Sequence, residues 1–192
     1  MTFASCRDDI TVVVTDLAAN PVERVARLIR PVPDFPKPGI MYRDITPMLA
    51  DPSALALAVE LMANPFRGGK FDLVVGAESR GFIFGVAVAQ ALGCGFVPVR
   101  KPGKLPSRSI SVSYSLEYGK DALEMHADAL GPGSKVLVVD DLLATGGTLR
   151  ACCELVERVG GTVGGATALI ELEALGGRAA IAPRPIHTVI RF

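Results

Sequence analysis

Two adjacent carboxylates precede a run of small residues near the middle of the chain. Asp140 and Asp141 follow four branched apolar residues at 136–139, and the run 144–148 reads Ala-Thr-Gly-Gly-Thr. Ionised carboxylates can only accept hydrogen bonds, which suits sugar hydroxyls or a hydrated metal, whereas the amides and hydroxyls of the small run suit a phosphate. A ribose 5-phosphate satisfies both halves. The alternative is an ordinary strand-turn-helix whose acids cap the helix, but capping needs fewer of these residues.

Two further clusters could hold a second anion. The run 76–81, Gly-Ala-Glu-Ser-Arg-Gly, lies where a strand is predicted to end and a helix to begin, so its amides and the Arg80 guanidinium could bind an anion. Arg100, Lys101 and Lys104 follow the next predicted strand. The alternatives are a plain turn with a solvated arginine and a solvated basic turn.

Several other ligand classes lack support in the sequence. The Gly-Lys pairs at 69, 103 and 119 are not followed by Ser or Thr, and no Gly-x-Gly-x-x-Gly run opens a helix after a strand. Kinase and dinucleotide-binding hypotheses therefore lose their main motifs. The 20 basic and 20 acidic residues balance, so no global field favours nucleic acid or a membrane surface.

Alternating strands and helices must position these clusters. Apolar runs predict strands at 71–77, 96–99, 136–140 and 163–170, with helices at 81–92 and 147–159 between them. This rhythm is typical of an α/β fold with a parallel sheet, whose strand ends bind ligands. Earlier, helices begin at Asn20-Pro21 and Asp51-Pro52, separated by an irregular proline-rich segment. A last edge strand is predicted at 187–192.

The rhythm breaks between residues 101 and 130. Apolar residues alternate with serines at 110–116, and a second apolar segment follows at 122–125, which predicts a β-hairpin projecting from the sheet. An excursion of this length is more often a lid than a passive connection. We therefore expect a flexible hood over the site.

Length and composition predict one domain, residues 1–192, with residues 1–31 as an N-terminal extension and helix. The four cysteines lack the spacing of a zinc site, which favours buried thiols in a reducing compartment. The start of the chain has no secretory pattern, and the most apolar stretch, 82–92, is too short to span a bilayer. We therefore expect a cytoplasmic protein that binds neither membrane nor nucleic acid.

From about Val32 onward the chain resembles the type I phosphoribosyltransferases, and within them the adenine-specific members. The resemblance rests on the 138–148 run and on three stretches at 35–47, 79–82 and 114–120. It implies transfer of the phosphoribosyl group of 5-phosphoribosyl 1-pyrophosphate (PRPP) to adenine, giving AMP and pyrophosphate. It also implies a parallel-sheet fold with a hood, Mg²⁺ bound with the sugar pyrophosphate rather than by protein side chains, and a homodimer.

The resemblance assigns roles residue by residue. The sugar phosphate would be bound by Asp140, Asp141, Ala144, Thr145, Gly146, Gly147 and Thr148. Pyrophosphate would be bound by Glu78, Ser79, Arg80, Arg100, Lys101 and Lys104, with a cis peptide at Glu78-Ser79. Adenine would be bound by Met41, Tyr42, Arg43 and Leu169, with Tyr42 stacking on the base and Leu169 closing its other face unless it is simple core. Glu117, at the hairpin tip, would be the catalytic acid-base group.

Two other functions remain open at this point. A regulatory protein on the same fold could bind the sugar phosphate without chemistry, although such proteins usually carry a nucleic-acid module or a basic face. A hypoxanthine or guanine enzyme is the nearer alternative, because its base differs mainly in carrying an oxo group at C6. Residues 1–19 contain no motif with an interpretation, and the sequence assigns no role to residues 1–31.

Overall fold

The structure is a computed structural model that describes residues 20–116 and 119–192. These residues form nine strands and six α-helices. The strands are β1 Arg30–Val32, β2 Tyr42–Asp44, β3 Leu73–Ala77, β4 Gly95–Val99, β5 Ser109–Leu116, β6 Gly119–His126, β7 Lys135–Leu143, β8 Thr162–Glu171 and β9 Ile186–Arg191. The helices are α1 Pro21–Ala26, α2 Thr46–Ala50, α3 Pro52–Ala63, α4 Arg80–Leu92, α5 Gly147–Arg158 and α6 Arg178–Ile181.

A five-stranded parallel sheet in the order β4-β3-β7-β8-β9 forms the centre of the fold. The predicted α/β class and the predicted edge strand at the C-terminus are therefore confirmed. The apolar residues 136–139 belong to the middle strand, where helices cover both faces, and this explains why they do not alternate with polar residues. The carboxyl ends of β3, β4 and β7 meet at one edge of the sheet.

Strand β7 is longer than the sequence indicated. It was expected to end at Asp140 but continues to Leu143, with Asp140 paired to Ala168 and Leu142 to Ile170 of β8. The sequence prediction failed because charged residues are rare inside a buried strand. Both carboxylates are thus held on regular strand backbone rather than on a loop.

The proline-rich segment is also more ordered than expected. Strands β1 and β2 form an antiparallel pair with Val32 opposite Tyr42. The Arg30 guanidinium pairs with the Asp44 carboxylate at 2.5 Å across this small sheet. Hydrogen bonds from the Thr46 amide and from Arg30 lower the pKa of Asp44 to about 2. This pairing fixes the backbone that directly follows Met41.

The predicted hairpin is present as strands β5 and β6. Its base is joined to the central sheet, since Arg100 and Glu124 exchange backbone hydrogen bonds of 2.9 and 2.7 Å. Val112 and Leu123 are buried with helix α5 in one core cluster. The described part of the hood is therefore packed at its base, and its flexibility stays a prediction.

Two hydrophobic clusters lie on opposite faces of the sheet. One joins the hairpin and α5 to the sheet and includes the free thiols of Cys152 and Cys153. The other joins α1, α3 and α4 to the opposite face, with Phe84 fully buried in it. No helix within 20–116 and 119–192 is long and apolar enough to cross a membrane.

Replacing Phe84 by alanine tests the second cluster. Because the ring is completely buried, Phe84→Ala should lower the free energy of unfolding by about 3 to 5 kcal/mol. Val86 on the same helix is 43% exposed, so Val86→Ala should cost less than about 0.5 kcal/mol. Urea unfolding of the two variants measures both values, and similar losses would contradict the assignment of this helix face to the core.

Candidate functional site

The loop between β7 and α5 forms a cavity of about 180 Å³ at the carboxyl end of the middle strand. All seven residues predicted to bind the sugar phosphate line it, together with Arg80, Leu142 and Leu149. Helix α5 begins at Gly147, so the first amides of a twelve-residue helix border the cavity. Carboxylates on one side and a helix N-terminus on the other match the two halves of a ribose 5-phosphate.

Gly146 is a glycine for reasons of backbone and packing. Its φ is +82°, a conformation that residues with a side chain rarely adopt. A Cβ placed there would also lie 2.5 Å from the carbonyl oxygen of Gly177 and 2.9 Å from the Cβ of Ala180. The missing side chain therefore makes room for α6 as well as for the helix cap.

The two aspartates occupy different electrostatic environments. Asp140 is buried, and its Oδ1 accepts a hydrogen bond of 2.9 Å from the Asp141 amide. Burial, followed by the neighbouring Asp141 carboxylate, raises the pKa of Asp140 well above its ordinary value of 3.8. Burial also raises the pKa of Asp141, although the Arg80 guanidinium opposes that effect from 3.1 Å. Asp140 is thus a carboxylate that is costly to ionise in the free protein.

Arg80 lies at the junction of three cavities. Its Nε contacts Asp141, and its Nη1 donates a hydrogen bond of 2.8 Å to the Tyr42 hydroxyl. It also lines the sugar-phosphate cavity and the two cavities described next. The Tyr42 hydroxyl, which needs a partner wherever it is partly buried, receives one from this guanidinium.

A second cavity, of about 120 Å³, adjoins the first on the side of strand β2. Its lining includes the predicted adenine-binding residues Met41, Tyr42 and Arg43. The Tyr42 ring meets Phe35 edge to face, with centroids 5.1 Å apart. A mostly apolar slot beside an oriented aromatic ring suits a planar heterocycle.

Leu169 does not line this cavity. Its side chain is fully buried in the cluster between the sheet and helices α3 and α4, so its core interpretation is the correct one. Ile170 and Leu172 line the slot instead. Leu172 follows the last residue of β8, and the rule that ligands lie beyond strand ends would have favoured it over a residue inside the strand.

Phe192 was missed by the sequence analysis. The Arg43 guanidinium lies 3.8 Å from the centre of the Phe192 ring, a cation–π contact. Both residues border a groove of about 650 Å³ next to the adenine-side slot. No sequence signal pairs positions 43 and 192, since nothing local relates them.

The third cavity, of about 670 Å³, gathers all six residues predicted to bind pyrophosphate. Within it the Glu78 carboxylate accepts hydrogen bonds of 2.7 Å from Arg100 and 2.6 Å from Lys104. Burial acts to raise the pKa of Glu78, but these hydrogen bonds outweigh it and lower the pKa. A carboxylate cannot bind an anion directly, so the Glu78 side chain holds the two cations in place. The Glu78-Ser79 peptide is cis, as expected.

Lys101 connects this cavity to the hairpin. Its ammonium group lies 3.2 Å from Asp121 of β6. Burial acts to raise the pKa of Asp121, but hydrogen bonds and the Lys101 charge leave it below its ordinary value. Glu117, the predicted acid-base group, lies outside the described residues.

The buried charge of Asp140 generates a testable prediction. Asp140→Asn keeps the acceptor for the Asp141 amide but removes a carboxyl group whose pKa is raised, so it should stabilise the ligand-free protein at pH 7. A raised pKa makes the carboxyl lower stability as pH rises above about 4, so the gain should be larger at pH 7 than at pH 4. Ribose 5-phosphate should bind the variant about tenfold more weakly.

Thermal unfolding across this pH range, with ribose 5-phosphate titration at pH 7, measures both effects. Asp72→Asn is the control, because the Asp72 carboxylate accepts from the Lys135 amide on a more exposed part of the sheet. A stability loss in Asp140→Asn that is independent of pH would contradict the proposed cost of ionisation.

The chain is similar to known proteins over most of its length. A model of the phosphoribosyl transferase domain matches residues 47–178. The adenine phosphoribosyltransferase of Methylococcus capsulatus is 53% identical over 171 residues, covering 89% of this chain and 100% of that protein. The protein of the same name from Pectobacterium carotovorum subsp. carotovorum is 55% identical over 164 residues, covering 85% of this chain and 89% of that protein.

Solved structures agree with these sequence matches. The crystal structure of adenine phosphoribosyltransferase from Thermoanaerobacter pseudethanolicus has a TM-score of 0.87 at 50% identity, covering 89% of this chain and 99% of that chain. The Saccharomyces cerevisiae protein, complexed with an imino-altritol bisphosphate and adenine, has a TM-score of 0.83 at 37% identity, covering 88% and 98%. The chain therefore belongs to the phosphoribosyl transferase family and, within it, to the adenine phosphoribosyltransferases.

Proposed function

We propose that the chain transfers the 5-phosphoribosyl group of PRPP to N9 of adenine, releasing pyrophosphate and AMP. The observation that carries this proposal is the meeting of three cavities at Arg80. One has the donors and acceptors for a ribose 5-phosphate, one is a slot for a planar base, and one is lined by cations for pyrophosphate. PRPP and adenine together contain these three parts.

The chemistry needs positioning and charge neutralisation more than a nucleophile on the protein. Breaking the bond at C1 of the ribose leaves positive charge on the sugar and an anionic leaving group. Arg80, Arg100, Lys101 and Lys104 offset the leaving-group charge in our assignment, while the 140–148 segment fixes the sugar. Holding base and sugar in neighbouring sites turns an encounter of two molecules into a reaction within one complex.

Magnesium bound with PRPP fits the groups that the protein presents. Residues 20–116 and 119–192 contain no group of three or more His, Cys, Asp or Glu that could hold a metal. Asp140 accepts one hydrogen bond from the Asp141 amide, and Asp141 lies against Arg80. Because a carboxylate can accept several hydrogen bonds, both can still accept from sugar hydroxyls or metal-bound water. When bound to the pyrophosphate, the ion would supply further neutralisation of the leaving group.

Two assignments extend beyond the chemistry. We infer a homodimer, because the family resemblance implies one. We infer a cytoplasmic location because Cys94, Cys152 and Cys153 are free thiols, which persist in reducing compartments.

Base selectivity tests the proposed function. Wild-type protein should release pyrophosphate with adenine, and kcat/KM for hypoxanthine and guanine should be at least about a hundredfold lower. An oxo group at C6 accepts where the adenine amino group donates, so it leaves groups of an adenine-specific slot unpaired. Parallel pyrophosphate-release assays with the three bases measure this ratio. Equal use of hypoxanthine would overturn the assignment.

Glu117 is our proposed acid-base group, acting on the imidazole-ring proton as N9 attacks. Glu117→Gln should lower the turnover number by roughly a hundredfold, the effect typical of one such group, while PRPP binds almost unchanged. Single-turnover AMP formation separates chemistry from product release. The control is Asp128→Asn, an exposed carboxylate after the same hairpin. If Glu117→Gln formed AMP at the wild-type rate, the hood would only cover the site and Glu117 would have no acid-base role.

A further inference from the structure

Gly177 forms an outer wall of the sugar-phosphate loop. A Cβ at Gly177 would overlap the carbonyl oxygen of Ala144 and approach Leu143 Cδ1 at 2.8 Å. A Cβ at Gly146 would in turn lie 2.5 Å from the Gly177 carbonyl oxygen. The two backbones therefore touch from both sides, and any displacement of residue 177 is transmitted to the loop at 144–148.

The residue next to Gly177 anchors it to the sheet. Arg178 donates from Nε to Glu171 Oε1 at 2.7 Å and from Nη2 to Glu171 Oε2 at 2.6 Å. It also donates to the Thr188 hydroxyl at 2.7 Å and to the Ile186 carbonyl at 3.1 Å. These partners lie on β8 and β9, so a short helix is fixed to two adjacent strands by one guanidinium.

The anchor is strong because its carboxylate is buried and fully engaged. The Glu171 side chain is 5% exposed, and its Oε2 also accepts from the Thr188 hydroxyl at 2.6 Å. Burial acts to raise the pKa of Glu171, but hydrogen bonds from Arg178 and Thr188 outweigh it and lower the pKa. Two parallel bonds between a guanidinium and a carboxylate also fix orientation, which a single ammonium contact does not.

We propose that Arg178 is a positioning residue for the 5-phosphate group of the substrate. Its ion pair with Glu171 holds Gly177 against the loop at 144–148 and so sets the loop conformation that receives the phosphate. Arg178 lies outside the residues that line the sugar-phosphate cavity, so it acts through the loop and not by contact. The inference rests on the proposed function, which assigns the phosphate to this loop.

The test compares two ligands that occupy different parts of the site. Arg178→Lys keeps the positive charge beside Glu171 but loses the two parallel hydrogen bonds of the guanidinium. The dissociation constant of ribose 5-phosphate should therefore rise about tenfold. The dissociation constant of pyrophosphate should stay within about twofold, because its proposed residues lie in the loops that follow β3 and β4 and at the start of α4. In steady-state assays the KM for PRPP should rise much more than the KM for adenine. Calorimetric titration of each ligand into the folded variant gives the two constants.

Arg184→Lys is the matched control. Arg184 makes a similar fork to Glu157 of α5, with both hydrogen bonds at 2.8 Å, and is in the same C-terminal segment. None of its side-chain hydrogen bonds reaches Gly177 or the loop at 144–148. The dissociation constants of ribose 5-phosphate and of pyrophosphate should therefore equal those of the wild type. Equal weakening of ribose 5-phosphate in the two variants would overturn the proposal.

Glu171→Gln provides a second variant, which retains an acceptor for Thr188 while weakening the pair with Arg178. It should show the same selective loss of ribose 5-phosphate affinity. Loss of both ligands, or of neither, in the folded variants would show that the ion pair has no positioning role. The pyrophosphate-release assay of the wild-type protein with the three bases does not depend on these variants. It therefore shows separately whether the proposed function is wrong.

Discussion

The ion pair between Arg80 and Asp141 is the contact on which the site depends. The arginine is the first residue of α4, the aspartate is on the middle strand, and the guanidinium also reaches the Tyr42 hydroxyl. One side chain thereby fixes the relative positions of the base slot, the sugar cavity and the pyrophosphate cavity. The pair is placed by the fold itself, because parallel strands bring their carboxyl ends to one edge.

Close backbone approach is the second constraint on the site. A Cβ at Gly81 would lie 3.0 Å from the Asp140 carboxylate, so α4 can start beside the aspartates only because this position has no side chain. The loop at 144–148 is confined in the same way by Gly177. Strand ends, helix starts and the loops that directly adjoin them therefore carry the proposed ligand-binding groups. Such support is what keeps binding groups within the narrow geometry that catalysis needs.

The sequence predicted those parts of the site that are local in the chain. The β7–α5 segment contains its strand, its acids and its small residues within fourteen positions, so pattern and chemistry agreed. Arg100 and Lys104 both donate to the Glu78 carboxylate, although each is more than twenty positions away from it in the chain. This cluster becomes visible only in the fold. Leu169 was expected beside the base, whereas Leu172 lines the slot. The point where β8 leaves the sheet decides this, and it is set by pairing with the neighbouring strands.

Carboxylates near the site fall into two groups, which differ in the direction of their pKa shift. Those with a lowered pKa hold neighbouring side chains in place, and the one with a raised pKa is proposed to bind the ligand. Glu78 and Glu171 each accept hydrogen bonds from arginine, and Glu78 also from lysine, so their pKa values are lowered although burial acts to raise them. Asp140 has the Asp141 carboxylate as its neighbour, so burial and like charge together raise its pKa. A group that is costly to ionise in the free protein gains most from new donors, and sugar hydroxyls are such donors. The carboxylate that is costly to ionise therefore lies where the proposed ligand would relieve that cost, while Glu78 holds the cations of the proposed pyrophosphate cavity and Glu171 holds Arg178 of α6.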